Sequence, residues 1–147
     1  MNMKGKWKRV YLVIMMFYVF DYISTFLYCS SPDEEGGPIA HSLMKLTNSV
    51  PIGLTLNISI WAAFWALVLF KIYPFLLKRI QESPYGKYIK FFQISMFISL
   101  GYHPALDFVA ATSWYWHIPE IYRAFIGLTV YLIILIWIRP LENFRAC

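Results

Sequence analysis

Four long apolar stretches constrain the fold of this chain more than any other feature of its sequence. They cover approximately residues 10–28, 50–70, 91–114 and 121–138. Each approaches the roughly 20 residues that a helix needs to cross a bilayer. Backbone groups inside a bilayer must satisfy their own hydrogen bonds, which favours helices, and barrel strands would be about half as long. The sequence therefore predicts an all-α integral membrane protein, a four-helix bundle formed by a single membrane domain of residues 1–147.

Composition and charge favour the same class of protein. Of the 147 residues, 59% are hydrophobic and 14% are charged, whereas about 25% of residues are charged in a soluble domain. Four of the 13 basic residues precede the first stretch, five lie between the second and third, and two follow the fourth. Only Lys45 and Arg123 fall on the other side of the membrane. By the positive-inside rule, both termini are predicted to be cytoplasmic. The net charge of +5 is then a topology signal, and we expect no nucleic-acid partner.

A short amphipathic helix is predicted in the first external loop, over about residues 38–48. It follows Gly36-Gly37-Pro38, and proline is favoured at the first position of a helix. Ile39, Leu43 and Leu46 share one face of this helix, which predicts that it lies along the outer surface of the membrane.

Two carboxylates fall inside the predicted spans. Asp21 lies seven residues before Tyr28, and Asp107 lies seven residues before Trp114. Helical rise then places both carboxylates at a similar depth, about 10 Å from the outer boundary. An ionisable group in the hydrocarbon costs about 2.5 to 3.5 kcal/mol, so both are predicted to face the interior of the bundle and to have polar partners there.

Three further polar residues, Thr25, Asn57 and His103, fall at the same level. His103 precedes Asp107 by four residues and therefore shares its helix face. Pro104 lies between them, lacks a backbone N–H and predicts a kink in the third span. Hydrogen bonding between helices is the favoured role for Thr25 and Asn57. For His103 with Asp107, a structural and a functional role stay open.

Asp21, His103 and Asp107 are the candidates for a shared polar cluster that binds a metal ion or passes a proton. Their common depth is the reason, because burial of each group alone would be costly. Glu35 and His41 belong to the external loop instead, and His41 is interpreted as a solvated or interfacial side chain. The sequence itself assigns no cofactor.

Asp21, Ser24-Thr25, Glu35 and Pro38 together resemble a family of small archaeal and bacterial membrane proteins of unknown function. That family carries Asp-x-x-Ser/Thr-Thr in its first span and Glu-x-Asn-Pro after a glycine-bearing loop. Gly37 departs from the pattern, because the family usually has Asn there. The resemblance covers a small part of the chain. It implies a compact helical fold in the plasma membrane of a prokaryote and a shared role for Asp21 and Glu35, and it implies no reaction or ligand.

Three classes of function follow. The favoured hypothesis is an accessory or structural subunit of a larger membrane complex, because four helices with short loops leave little room for an active site. The alternative is a small oligomeric transporter of ions, protons or metals that uses the intramembrane Asp and His residues. A metal-dependent intramembrane enzyme is favoured least, since no catalytic motif accompanies these residues. The sequence thus predicts no catalytic activity of its own, and its predicted partners are membrane lipid and either other membrane subunits or further copies of the chain.

Overall fold

The computed structural model describes residues 3–138, and the side chains of residues 7–136. The elements in this part are helices: α1 Met3–Tyr28, α2 Pro38–Thr47, α3 Val50–Leu67, α4 Tyr73–Gln81, α5 Ile89–Leu100, α6 Tyr102–Ser113 and α7 Glu120–Ile138. Short 3₁₀ turns cover Pro32–Glu34 and Gly86–Tyr88. Three stretches are long and apolar enough to cross a membrane: Trp7–Tyr28, Val50–Gln81 and Gly86–Ser113. The all-α prediction is confirmed, together with three helices able to span a membrane by length and composition.

Helices α3 and α4 form one long helix that contains a π-helical turn, Val68–Ile72. Pro74 explains the turn, because it has no N–H to donate to the carbonyl of Phe70 and its ring would crowd that carbonyl. In the wider turn the Tyr73 N–H donates to the carbonyl of Val68 instead, five residues back. The helix can therefore continue past the proline as far as Gln81.

Helices α5 and α6 are separated at Gly101 only. Pro104 is the third residue of α6, and the carbonyl that it leaves without a helical donor belongs to Leu100, the last residue of α5. The predicted break in this span is therefore present. Gly101 also allows α7 to approach closely, because a Cβ there would lie 2.8 Å from the ring of Tyr131.

Helix α1 is central to the bundle and packs against α3, α6 and α7. At one end, called the Trp7 end here, buried side chains of α1, the π-helical turn and α5 fill the space between the helices. Trp7, Leu69 and Phe97 are each at most 3% exposed. The rings of Trp7 and Phe97 stack with their centroids 5.5 Å apart. The Tyr131 hydroxyl, which is also buried, donates to the carbonyl of Phe97 at 3.2 Å.

Helix α2 lies at the opposite end of the bundle, called the α2 end here. It packs on the start of α3 through Ala40 and Met44, both buried. Gly53 makes this contact possible, because a Cβ there would lie 2.5 Å from the backbone of Met44. Ile39 and Leu46 on the predicted apolar face are exposed and do not pack against the rest of the described chain. The helix predicted over residues 38–48 is thus present as Pro38–Thr47.

Candidate functional site

A cavity of about 660 Å³ opens at the α2 end of the bundle, between α1, α3 and α6. The loop that contains Glu34 and Glu35 and the first residues of α2 lie over it. The cavity is open rather than sealed, because Leu106 and Ala110 on its α6 side are exposed to the surroundings. A hydrogen-bonding distance of 3.3 Å between the hydroxyls of Tyr22 and Thr55 ties α1 to α3 at this end.

Aromatic and imidazole rings form the floor of the cavity and separate it from the filled Trp7 end. Tyr18 and Trp61 stack, with centroids 5.9 Å apart and planes inclined by 25°. The indole N–H of Trp65 donates to the Tyr18 hydroxyl at 3.3 Å, and both side chains are buried. The ring of His103 lies edge-on to Trp65 at 4.9 Å. Three helices therefore meet at one layer of rings.

The residues predicted to share one level of the membrane all line this cavity: Asp21, Thr25, Asn57, His103 and Asp107. Within residues 3–138, however, no hydrogen bond joins Asp21, His103 and Asp107 to one another. His103 packs against tryptophan rings instead. The same part of the chain contains no three His, Cys, Asp or Glu side chains placed to hold a metal ion. The candidates therefore line one cavity without a direct hydrogen bond among them.

Three oxygen atoms in this layer are buried without a hydrogen-bond partner among residues 3–138: Asp21 Oδ1, Asn57 Oδ1 and Asp107 Oδ2. They come from three different helices, α1, α3 and α6. Buried polar atoms usually have a partner, and an unpaired one is costly. The described residues therefore supply no hydrogen-bond donor to these three oxygens.

The loop over the cavity is held by its own carboxylates. The Glu35 carboxylate accepts a hydrogen bond from the Gly37 N–H at 2.8 Å, just before α2 begins. The Glu34 carboxylate accepts from the Ser30 N–H at 2.7 Å. Acceptors at the start of a helix are favoured by its unpaired N–H groups and its dipole. Glu35, a candidate from the sequence, thus lies both at the start of α2 and on the cavity wall.

The other external candidate, His41, ties α2 back to the loop. Its Nδ1 donates to the carbonyl of Pro32 at 2.7 Å, so it is not simply solvated. On the outer face of α2, the Lys45 ammonium lies 2.8 Å from the Asp33 carboxylate. This hydrogen-bonded pair holds the pKa of Asp33 below its usual range. His41 itself does not line the cavity.

The charged side chains that line the cavity are all acidic. Five carboxylates line it: Asp21, Glu34, Glu35, Asp107 and Glu120. None of its lining residues, all of which are described, is a lysine or an arginine. Nearby Arg123 is buried, and it donates to the carbonyl of Val109 at 2.9 Å. Glu34 and Glu120 are not among the site residues that the sequence predicts.

Aromatic side chains that the sequence analysis did not identify as site residues also lie on the wall. Trp61 and Trp114 line the cavity with Tyr18. Their helical spacing from the polar residues could have identified them, because Tyr18 is three residues before Asp21 and Trp61 is four residues after Asn57.

Comparison of the chain with known protein families, with curated proteins and with solved structures finds no match. The chemistry of the site is therefore argued from its own residues. A space lined by carboxylates and aromatic rings favours positively charged molecules, because the carboxylates attract the charge and the ring faces stabilise it.

Proposed function

We propose that this protein binds a small organic cation in the cavity and acts as a transporter of that cation. The observation that carries the proposal is the wall itself, which has five carboxylates and, among its described lining residues, no lysine or arginine. Carboxylates with low-dielectric surroundings focus a negative potential and raise the local concentration of cations. A bound cation would also offset the cost of placing Asp21 and Asp107 at membrane depth.

The size and the rings of the cavity favour an organic cation over a single metal ion. Small-molecule sites commonly enclose about 300 to 1,000 Å³, and this cavity has a volume of about 660 Å³. Tyr18, Trp61 and Trp114 supply ring faces, which attract cations with about 0.5 to 2 kcal/mol per favourable contact. Both Asp21 and Glu35 lie on the wall, which supports the shared role that the family resemblance implies for them.

The proposed topology has four spans and places both termini in the cytoplasm. Helix α7, Glu120–Ile138, is the proposed fourth span, and its 19 residues would measure about 28 Å, close to the roughly 30 Å of a hydrocarbon core. The basic residues then lie on the cytoplasmic side, and the α2 end, which contains the cavity, faces outward. In this arrangement the floor formed by Tyr18, Trp61 and His103 closes the path to the cytoplasm.

Accessibility of introduced cysteines tests this topology. Natural Cys29 is a poor reporter, because it is 7% exposed and burial raises the pKa of its thiol. Ser30→Cys and Gln81→Cys, each in a variant lacking both natural cysteines, place thiols at exposed positions near opposite ends of the bundle. A membrane-impermeant maleimide added to intact cells should label Ser30→Cys only. Labelling of Gln81→Cys under these conditions would overturn the topology.

Ligand binding to the purified protein in detergent tests the proposed function. Phenethylammonium and the uncharged 2-phenylethanol have the same ring and differ in charge. The ammonium compound should raise the melting temperature and the alcohol should not. Asp21→Asn and Asp107→Asn should each weaken binding of the cation about tenfold or more, because each removes one opposite charge at close range. Glu82→Gln, at the Trp7 end of the bundle and outside the cavity, is the matched control.

Equal effects of the amine and the alcohol, or full affinity in both Asn variants, would refute cation binding. Flux of the amine into proteoliposomes tests the transport step, and Asp107→Asn should abolish it. The hypothesis that the chain is an accessory subunit of a larger membrane complex stays a prediction, and the experiments distinguish it from cation transport. It predicts firm co-purification with larger membrane proteins from native membranes in mild detergent, and no response to the cation.

A further inference from the structure

At the Trp7 end of the bundle, the long helix extends beyond the length that a bilayer core can enclose. The stretch Val50–Gln81 has 32 residues and measures about 48 Å at the rise of an α-helix. The hydrocarbon core is about 30 Å thick, which about 20 residues cross. With Val50 at one boundary of the core, α4 lies among the lipid headgroups at the other boundary and beyond them.

One face of this segment carries an aromatic ring among basic side chains. Phe75 is 59% exposed. Lys71, in the π-helical turn, precedes it by four residues, and Lys78 and Arg79 follow it by three and four. Side chains at these spacings are neighbours on the surface of a helix. The guanidinium carbon of Arg79 lies 5.5 Å from the centre of the Phe75 ring, so a positive charge already rests against the ring.

Apolar side chains complete this surface. Ile72 and Leu76 are exposed, whereas Leu77, on the opposite face of the helix, is buried in the core. The outward residues are called the α4 patch here: Lys71, Ile72, Phe75, Leu76, Lys78 and Arg79. The patch combines positive charge with exposed apolar surface on one side of one helix. A molecule with a negative head and an apolar chain complements both properties.

Few carboxylates offset the basic charge around the patch. Among the described side chains, seven exposed lysines and arginines lie at this end: two near the start of α1, three on the long helix and two around the start of α5. Glu82 is the one described carboxylate in this region, and it lies 3.8 Å from the Lys78 ammonium in an exposed pair. Such a pair binds weakly, so an anionic partner can still be attracted to the patch.

We propose that the α4 patch binds an anionic phospholipid, with its phosphate on Lys78 and Arg79 and an acyl chain along Ile72 and Phe75. Basic side chains next to a membrane span attract anionic headgroups. A phospholipid supplies a negative charge and a long apolar chain together at this depth, and in the proposed topology it belongs to the cytoplasmic leaflet. The patch and the cavity lie at different ends of the bundle, so this inference is independent of cation binding.

Lipid binding to the full-length protein in detergent tests the inference. Dioleoyl-phosphatidylglycerol and dioleoyl-phosphatidylcholine have the same acyl chains and differ in net charge. Native mass spectrometry should show at least about tenfold tighter binding of phosphatidylglycerol, because each basic side chain near a headgroup contributes about fivefold. Inorganic phosphate at the same concentration should not displace the lipid, since it has no acyl chain to contact the apolar part of the patch.

Two double variants locate the binding site. Lys78→Gln with Arg79→Gln should weaken binding of phosphatidylglycerol at least about tenfold and leave phosphatidylcholine unaffected. Lys87→Gln with Lys90→Gln is the matched control, because it removes the same charge at the same end and outside the patch. Phe75→Gln should weaken phosphatidylglycerol about fivefold, since it removes the ring. These side chains are exposed, and an unchanged melting temperature without lipid shows that each variant is folded.

A preference for phosphatidylglycerol that the patch variants lose and the control variant keeps supports the inference. Equal binding of the two lipids, or binding of neither, would overturn it. Equal losses in the two double variants would show that the overall charge of this end attracts the lipid, and the inference would again be wrong. Displacement of the lipid by inorganic phosphate would show that the patch binds a phosphate without a chain, which also contradicts it.

Discussion

The two ends of the bundle share α1 and the long helix that contains α3 and α4, and they differ in what lies between the helices. At the Trp7 end, side chains such as Ile14 and Leu69 are fully buried, and rings such as Trp7 and Phe97 fill the remaining space. At the α2 end, α1, α3 and α6 surround a cavity of about 660 Å³. The difference indicates that side-chain packing at the Trp7 end holds the helices together. The polar side chains that line the cavity at the α2 end do not contribute to this packing.

Hydrogen bonding differs between the two ends in the same way. At the Trp7 end, the buried hydroxyl of Tyr131 donates to the carbonyl of Phe97. In residues 3–138, the buried side-chain atoms without a partner all lie towards the α2 end, in Asp21, Asn57, Asp107 and Arg123. Buried polar atoms usually have a partner in the protein or in ordered water. The two ends therefore differ in hydrogen bonding as they do in packing.

Truncation of one leucine at each end should reveal the largest difference. Leu69 is 0% exposed within the filled core, and Leu69→Ala should lower the free energy of unfolding by about 2 to 5 kcal/mol. Leu54→Ala is the matched change on the same long helix. Leu54 is 5% exposed and borders the cavity, so its truncation enlarges an existing space and should cost clearly less.

Chemical denaturation of both variants in the same detergent measures this difference. Equal losses of stability would show that the α2 end is packed as tightly as the Trp7 end in solution. The comparison between the two ends would then lose its physical basis.

The sequence was sufficient to predict the helices that form both ends of the bundle. It was not sufficient to predict the contacts between these helices. Helix positions depend on local composition, so the apolar stretches at residues 10–28 and 50–70 sufficed to locate α1 and α3. The shared level of Asp21 and Asp107 followed from helical rise alone. The long helix also continues through Gln81, beyond the predicted end of the second stretch, because a helix does not need to end where its apolar residues do.

Tertiary contacts account for what could not be predicted. His103 and Asp107 share a helix face, and yet the His103 ring lies against Trp65 of a neighbouring helix. The position of Glu34 over the cavity depends on a turn after α1, whose geometry the acidic run alone does not specify. Local spacing restricts which side chains share a face, whereas the neighbour across that face is set by the packing of the whole bundle.

Gly53→Leu should have the next largest effect, and this effect should be confined to the α2 end. A Cβ at Gly53 would lie 2.5 Å from backbone atoms of Met44, which a rotamer change cannot relieve. The substitution should push α2 away from α3 and destabilise the fold by about 1 to 3 kcal/mol. Ligand binding should be lost, since α2 and its loop cover the cavity.

Gly36→Leu is the control for the loss of stability only, because a Cβ at Gly36 has no neighbour within 4 Å while Gly36 itself lines the cavity. It should leave both the stability and the core at the Trp7 end unchanged. Retention of full ligand affinity by Gly53→Leu would show that docking of α2 is not needed to shape the cavity.

The smallest effect concerns the surface ion pairs at the two ends. Asp33 and Lys45 are 2.8 Å apart at the α2 end, and Lys78 and Glu82 are 3.8 Å apart at the other end. Exposed pairs contribute little to global stability. However, the first pair ties α2 to the loop that follows Cys29. Asp33→Asn should therefore speed alkylation of Cys29 at pH 8 about two- to threefold, within the range expected for a weak surface pair, and Glu82→Gln should leave it unchanged.

Acidification should remove the same tie, and the sign follows from the direction of the pKa. Lys45 holds the pKa of Asp33 below its usual value. The contribution of the pair is therefore complete above the pKa of Asp in the unfolded chain, about 3.9, and it is lost as the pH falls through the lower pKa of the folded protein. The difference in melting temperature between the wild-type protein and Asp33→Asn should accordingly shrink in this acidic range. If the difference stays constant there, Asp33 acts through the shape of the loop and not through its charge. In that case the charge of the Asp33–Lys45 pair would contribute no more at the α2 end than the Lys78–Glu82 pair does at the Trp7 end.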